Sequence, residues 1–128
     1  GIVSLEYIHS PFFERNNFSA AFAANGSITT DSDWYIGAGA AMRWSWHSGW
    51  FADGSLLAGY YKAGIPGNDL GNDLEFRSLL ALGYQFDSGS RLSLAITHKS
   101  NAGISDVNPG VNTLLLRYHL PLGIRAIE

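Results

Sequence analysis

The chain has 128 residues, of which 46% are hydrophobic, 13% aromatic and only 15% charged. A chain of this length forms one domain, and since roughly 25% of residues are charged in an average soluble domain, part of this surface meets something less polar than water. The net charge is −3, and the basic residues are scattered singly, so a nucleic-acid partner is excluded. The absence of cysteine excludes disulfides and thiolate catalysis.

Apolar residues alternate with small or polar ones in successive segments separated by clusters of Gly, Asn, Asp, Ser and Pro. This two-residue period predicts β-strands and no sustained helix. Tight turns alternate with long loops, which is typical of outer-membrane barrels. The seven predicted strands are Ile2–Ser10, Phe18–Asn25, Trp34–Trp46, Trp50–Ala63, Leu74–Phe86, Arg91–Ser100 and Asn112–Leu122.

The two faces of the predicted strands differ in chemistry. In the segment Arg91–Ser100, one face carries Leu92, Leu94 and Ile96 and the other carries small or polar residues. A soluble sandwich or a lipocalin-like barrel also alternates in this way. Charges of both signs on the presumed inner face, aromatic residues at strand ends, and strand lengths near those of membrane strands favour a membrane barrel. The inner-face charges are Glu6, Arg43, Glu75, Arg77 and Arg117, and the strand-end aromatics are Trp34, Trp44, Trp46, Trp50, Tyr84 and Phe86.

We therefore predict an all-β, antiparallel, up-and-down outer-membrane β-barrel in a single domain, residues 1–128. Bacterial barrels have an even number of strands and periplasmic termini. The long loop before the last strand is an outer one, and counting backwards puts Gly1 at the outer side. Eight strands are expected with seven in this chain, so the first N-terminal strand is expected to be missing. A strand from a partner, or from a second copy in a homodimer, is the alternative way to complete the open edge.

His98 and Ser100 are the first candidate site residues. They lie two apart on one predicted strand and continue the lipid-facing phase of Leu92, Leu94 and Ile96. Polar side chains that face acyl chains are costly, and imidazole beside hydroxyl is the minimal nucleophile and base for acyl transfer. Asn101 and Gly103 follow directly and can offer amide donors to an oxyanion.

The last fifty or so residues resemble a known family. The stretch Leu74 to Leu122, above all residues 98–103 (His-Lys-Ser-Asn-Ala-Gly) with Asn108-Pro109-Gly110 and Tyr118, is similar to the outer-membrane lipid A 3-O-deacylases of the PagL type. The resemblance implies an eight-stranded barrel that hydrolyses the ester at the 3 position of lipid A. It also implies Ser100 as nucleophile, His98 as general base, and Asn101 with the Gly103 amide as the oxyanion hole.

One position departs from the family pattern. The family places a glutamate at the start of the last strand as the third member of the triad, where this chain has Asn112. Asn112 is in phase with Leu114, so it can approach His98, and its amide oxygen can orient the imidazole without stabilising its positive charge. Three interpretations remain open: Asn112 orients His98 in a slow esterase, Asp106 substitutes for the acid, or the barrel has lost catalysis.

The resemblance implies a serine esterase of the Gram-negative outer membrane whose partners are lipid A and lipopolysaccharide acyl chains. The termini are expected in the periplasm once the barrel is complete. No cofactor or metal is expected, because His9, His47 and His119 each lack a second ligand at metal spacing. The alternative from another class is a catalytically inactive barrel with a structural or interaction role.

Overall fold

The regular structure of this chain is a series of antiparallel strands. The computed structural model describes residues 2–46, 48–68, 70–71, 73–101 and 111–120. In this part of the chain there is no helix that could span a membrane, and a 3₁₀ turn lies at Pro66–Asn68. The strands are β1 Ile2–Ile8, β2 Phe13–Arg15, β3 Phe18–Thr29, β4 Trp34–Ser45, β5 Trp50–Lys62, β6 Leu74–Gln85, β7 Arg91–Ser100 and β8 Val111–His119.

All these strands belong to one curled sheet in the order β1, β3, β4, β5, β6, β7, β8. Each strand pairs antiparallel with the next, which confirms the up-and-down arrangement with seven lateral positions. The short strand β2 was not predicted. It continues the place of β1 along the edge of β3, beyond an interruption that contains Pro11. Proline has no N–H to donate to a ladder, which explains the interruption.

The strand β3 is longer than predicted. It was expected to end at Asn25 because Gly26 resembles a turn signal, but Gly26 pairs with Ile36 and the ladder continues to Thr29. The connection to β4 is then a tight turn, in which the Ser32 amide donates to the Thr29 carbonyl and Ser32 has a φ of 64°. Gly26 does not end the strand, because pairing with a strand on each side holds its backbone extended.

Two ends of the sheet can be distinguished. At the turn end, tight hairpins join β4 to β5, where Trp46 bonds to Gly49 and Trp50, and β6 to β7, where Phe86 bonds to Gly89 and Ser90; Gly49 and Gly89 have positive φ. Such three-residue hairpins require a left-handed residue, which glycine provides without strain. At the loop end, residues 63–73 join β5 to β6, and residues 101–110 separate β7 from β8.

Most of the predicted strand-end aromatics gather at the turn end. Trp44 contacts Phe18 with ring centroids 5.2 Å apart, and Tyr84 contacts both Trp50 and Phe86, at 5.3 Å and 5.5 Å. Trp34 alone of the six lies at the loop end. Aromatic rings collected at one level suit the interface between lipid and water.

The outward face of the sheet is apolar. On β7, Leu92, Leu94 and Ile96 are exposed while Ser93, Ala95 and Thr97 are buried. A hydrophobic wall that runs over every strand is far larger than the patches that soluble monomers expose, and it matches acyl chains. Its exposed members include Val3, Leu5, Phe22, Ile28, Ile36, Leu56, Leu80, Leu82, Leu94, Ile96, Leu114 and Leu116.

The interior contains a network of ion pairs among charges predicted for the inner face, joined by Asp53, which was not predicted. Arg117 on β8 donates to Glu6 on β1 at 2.7 Å and to Asp53 on β5 at 3.2 Å. Arg77 also donates to Glu6, at 3.2 Å, and Arg43 forms a two-pronged pair with Asp53, at 2.6 Å and 2.8 Å. Because Glu6 lies on the first strand and Arg117 on the last, their ion pair draws the two edges of the sheet towards each other.

Replacing Arg117 with leucine is expected to lower the free energy of unfolding by about 3 kcal/mol. Removing one partner of a buried pair leaves uncompensated charge, although Glu6 keeps Arg77 and Asp53 keeps Arg43. Urea unfolding in detergent micelles, followed by tryptophan fluorescence, measures the effect. Arg15→Leu is the control, since Arg15 is exposed at the turn end. Equal stabilities of the two variants would contradict the role of the network.

Candidate active site

Polar side chains on the outward wall are concentrated in one place. The outward positions of the described strands carry apolar residues, apart from Lys62 and Arg15 at strand ends and four neighbouring sites. These four are Ser78 on β6, His98 and Ser100 on β7 and Asn112 on β8, and we call them the polar patch. The patch lies near the loop end. Since an unpaired polar group in hydrocarbon costs several kcal/mol, their grouping indicates a site.

His98 and Asn112 are joined directly. They are register partners on β7 and β8, and His98 Nδ1 lies 2.6 Å from Asn112 Oδ1. An amide oxygen can only accept, so Nδ1 carries the hydrogen and donates it. The other ring nitrogen, Nε2, is then the basic atom of the imidazole. The prediction that Asn112 approaches His98 across the strand pair therefore agrees with this geometry.

Ser100 lies on the same face as His98, two residues further along β7, and is partly exposed beside its register partner Phe76. Within the described residues, no hydrogen bond joins the Ser100 hydroxyl to the His98 ring. Two residues along a strand span roughly 6.6 Å between Cα atoms. The backbone thus presents both groups to the same volume outside the wall, and side-chain rotation sets the distance between them.

The predicted oxyanion residues are placed differently from each other. Asn101 follows Ser100 and so points to the inner face, where it is fully buried and donates from Nδ2 to the carbonyl of Leu70 at 3.3 Å. Gly103 and the candidate acid Asp106 lie outside the described residues. The oxyanion roles of Asn101 and Gly103, and the substitution by Asp106, stay predictions.

The β5–β6 connection is folded against the same end of the sheet. Asp33 accepts from the Gly64 amide and from Asn68 Nδ2, each at 2.7 Å, and the Tyr61 hydroxyl donates to the Asn68 carbonyl at 2.9 Å. Leu70 is buried against Tyr35 and Tyr61. Asn101 thereby ties this connection to β7. Asp33, from the β3–β4 turn, thus holds the β5–β6 connection in place, and no group of three metal-ligating side chains occurs among the described residues.

Ser78 was missed at the sequence level. It lies on β6 directly opposite His98, on the flank away from Asn112, and is exposed. The signal was present: Ser78 shares the phase of Phe76 and Leu80, where an apolar residue was expected. The rule that singled out His98, a polar residue in a lipid-facing phase, also applies to Ser78. Asp53, which links Arg43 and Arg117 in the lumen, was missed as well.

Comparison with known proteins identifies the family of this chain. A family model described as lipid A 3-O-deacylase (PagL) matches residues 7–121. The chain belongs to the PagL family. The crystal structure of the outer membrane enzyme PagL matches it with a TM-score of 0.78 at 16% identity, covering 94% of this chain and 88% of the other. That similarity confirms the predicted outer-membrane barrel fold.

Two curated PagL relatives are similar over shorter stretches. The lipid A deacylase PagL of Bordetella bronchiseptica is 26% identical over 96 residues, which cover 74% of this chain and 54% of the relative. The lipid A deacylase PagL of Pseudomonas aeruginosa is 27% identical over 66 residues, covering 52% of this chain and 38% of the relative. The chain thus spans about half the length, or less, of the curated PagL proteins it matches.

Proposed function

We propose that this PagL-family protein is an outer-membrane serine esterase that removes the 3-O-linked acyl chain of lipid A. The observation that carries the proposal is the polar patch on the lipid-facing wall, with the His98–Asn112 contact of 2.6 Å at its centre. The family and the names of the curated relatives supply the substrate. A site that opens sideways suits a substrate whose acyl chains lie in the membrane beside the protein.

The proposed reaction is acyl transfer in two steps. Ser100 Oγ attacks the carbonyl carbon of the ester while His98 Nε2 takes the hydroxyl proton. The bond between the acyl carbon and the sugar oxygen breaks, and His98 returns the proton to that oxygen. Water, deprotonated by His98, then attacks the acyl-serine carbonyl; the bond to Ser100 Oγ breaks, the fatty acid leaves, and His98 returns the proton to Ser100 Oγ.

Asn112 has a limited role in this scheme. Its oxygen fixes the hydrogen on His98 Nδ1 and leaves Nε2 as the base. A neutral amide does not stabilise the imidazolium that forms when His98 accepts the serine proton, whereas a carboxylate does. We therefore propose that Asn112 orients His98 in a slow catalyst.

The oxyanion is assigned to the Gly103 amide and Asn101. The Asn101 side-chain amide already donates to the Leu70 carbonyl on the inner face. It can serve the oxyanion only by exchanging that contact, so Gly103 has the larger share of the proposed role.

The orientation in the membrane follows from the two ends of the sheet. The loop end, with the polar patch, is assigned to the outer side, because outer-membrane barrels have longer loops outside and short turns in the periplasm. Since β8 runs from the loop end to the turn end, the carboxyl end of β8 is assigned to the periplasmic side.

Removal of the Ser100 hydroxyl tests the catalytic proposal. Ser100→Ala is expected to lower the rate of lipid A deacylation at least about 10³-fold, because the nucleophile is lost. Mass spectrometry of lipid A from cells that express each variant gives the readout, and migration of unheated protein on gels checks the folding. Leu94→Ala, on the same face of β7, is the control. Undiminished deacylation by the Ser100→Ala protein would refute the site, and an unmodified lipid A in wild-type cells would favour a non-catalytic barrel.

The charge of the third group is tested at Asn112. Asn112→Glu is expected to raise the rate, by at most about 10⁴-fold, the size of the converse loss in serine proteases. Asn112→Leu is the matched variant without an acceptor and is expected to be slower than wild type. Initial rates on purified lipid A in micelles distinguish these outcomes. A slower Asn112→Glu enzyme would show that a carboxylate here is not the missing part of the catalyst.

The described strands occupy seven lateral positions in the sheet. We also propose that one further strand occupies an eighth position, between β1 and β8. These two strands run in the same direction, and among the described residues no backbone ladder joins them. A strand antiparallel to both would satisfy their outer N–H and C=O groups, which hydrocarbon leaves unpaired at a cost of several kcal/mol each.

Hydrogen exchange on the whole protein, purified from outer membranes, checks this arrangement. The amides of β1 that point away from β3 are expected to be as well protected as those of the central strand β5. Rapid exchange of these β1 amides, with β5 protected, would mean that the edge is open.

A further inference from the structure

Ser78 is a polar residue of the wall for which the proposed reaction has no role. Its neighbours in phase on β6 are Phe76 and Leu80, and Leu80 is 73% exposed on the outward wall, so Ser78 lies among apolar side chains that face the membrane. Among the described residues, the Ser78 hydroxyl makes no hydrogen bond. A hydroxyl held there without a partner is unfavourable unless a ligand supplies one.

The register places Ser78 at the site. Ser78, His98 and Asn112 occupy one row across β6, β7 and β8, with His98 in the middle. Directly opposite residues of antiparallel strands have Cα atoms roughly 4.5–5.5 Å apart. The Cα atom of Ser78, across the strand pair, is therefore nearer to that of His98 than the Cα atom of Ser100 is.

In this row, the His98 imidazole has a different neighbour on each side. Asn112 occupies the β8 flank and bonds to Nδ1. The hydroxyl of Ser78 borders the β6 flank, and Ser100 lies further towards the loop end on β7. An ester positioned for attack by Ser100 and within reach of His98 would extend its polar atoms over this β6 flank.

We propose that Ser78 is a substrate-binding residue, whose hydroxyl hydrogen-bonds a carbonyl or hydroxyl oxygen of the acylated glycolipid next to the scissile ester. This inference rests on the proposed esterase function. Ser78 fixes the substrate from the side opposite Asn112, so that the ester carbonyl lies between Ser100 and His98. The polar patch then has two halves: a catalytic one on β7 and β8, and a binding one on β6.

Kinetics of the whole protein in micelles, with purified lipid A as substrate, test the role. Loss of one hydrogen bond is expected to raise the KM of Ser78→Ala about tenfold and to change kcat less. Ser78→Thr keeps the hydroxyl in a residue that suits strands and is expected to restore the KM. Tyr118→Phe removes an exposed hydroxyl from the same wall near the turn end and is the control.

The outcomes are separable. An unchanged KM for Ser78→Ala, with Ser100→Ala inactive, would overturn the binding role and leave the esterase intact. Loss of kcat in Ser78→Ala as complete as in Ser100→Ala would also overturn it, because Ser78 would then act in the chemistry. Full activity of Ser100→Ala would remove the proposed function itself, whatever the behaviour of Ser78.

Discussion

Each strand of this sheet faces two different surroundings, hydrocarbon on one side and a narrow interior packed with charge on the other. The pleat makes this compatible with one backbone, because successive side chains point to opposite faces. On the inner side, Arg117 joins Glu6 of the first strand to Asp53 near the middle of the sheet. The apolar wall and this network depend on each other, since a sheet greasy on one face and charged on the other can bury its charges only by curling around them.

The same constraint gives meaning to the few polar groups that break it. A serine or histidine on the surface of a soluble protein forms hydrogen bonds with water. On this wall it faces a medium that offers no hydrogen-bond partner. The strongest structural support for a functional site is the grouping of four polar residues on three neighbouring strands: Ser78, His98, Ser100 and Asn112. The position of the site on this wall agrees with the proposed substrate, whose acyl chains lie in the membrane beside the protein.

The strand β7 has separate tasks on its two faces. Inward, Lys99 lies over the Tyr35 ring and Asn101 binds the Leu70 carbonyl, so this strand is anchored to the interior and to the β5–β6 connection. Outward, His98 and Ser100 project from that fixed backbone. Rigid support behind reactive groups is what a site needs to hold them in a constant geometry. On β8, Asn112 is likewise exposed on the outward face and has no part in the interior, so a change at this position leaves the interior packing intact.

The sequence by itself determined the seven lateral strands and their two faces, apart from the short β2 and the continuation of β3 to Thr29, because the two-residue alternation is a local property. The expectation that Asn112 approaches His98 came from the family resemblance. The alternation also placed Arg77 and Arg117 on the inner face. Only the tertiary structure decided which groups meet across strands: Glu6 shared by two arginines, Asp53 between Arg43 and Arg117, Ser78 opposite His98, and Asn101 turned to Leu70. Those meetings depend on register, and register is set by turn geometry and by the whole sheet, as the extension of β3 through Gly26 illustrates.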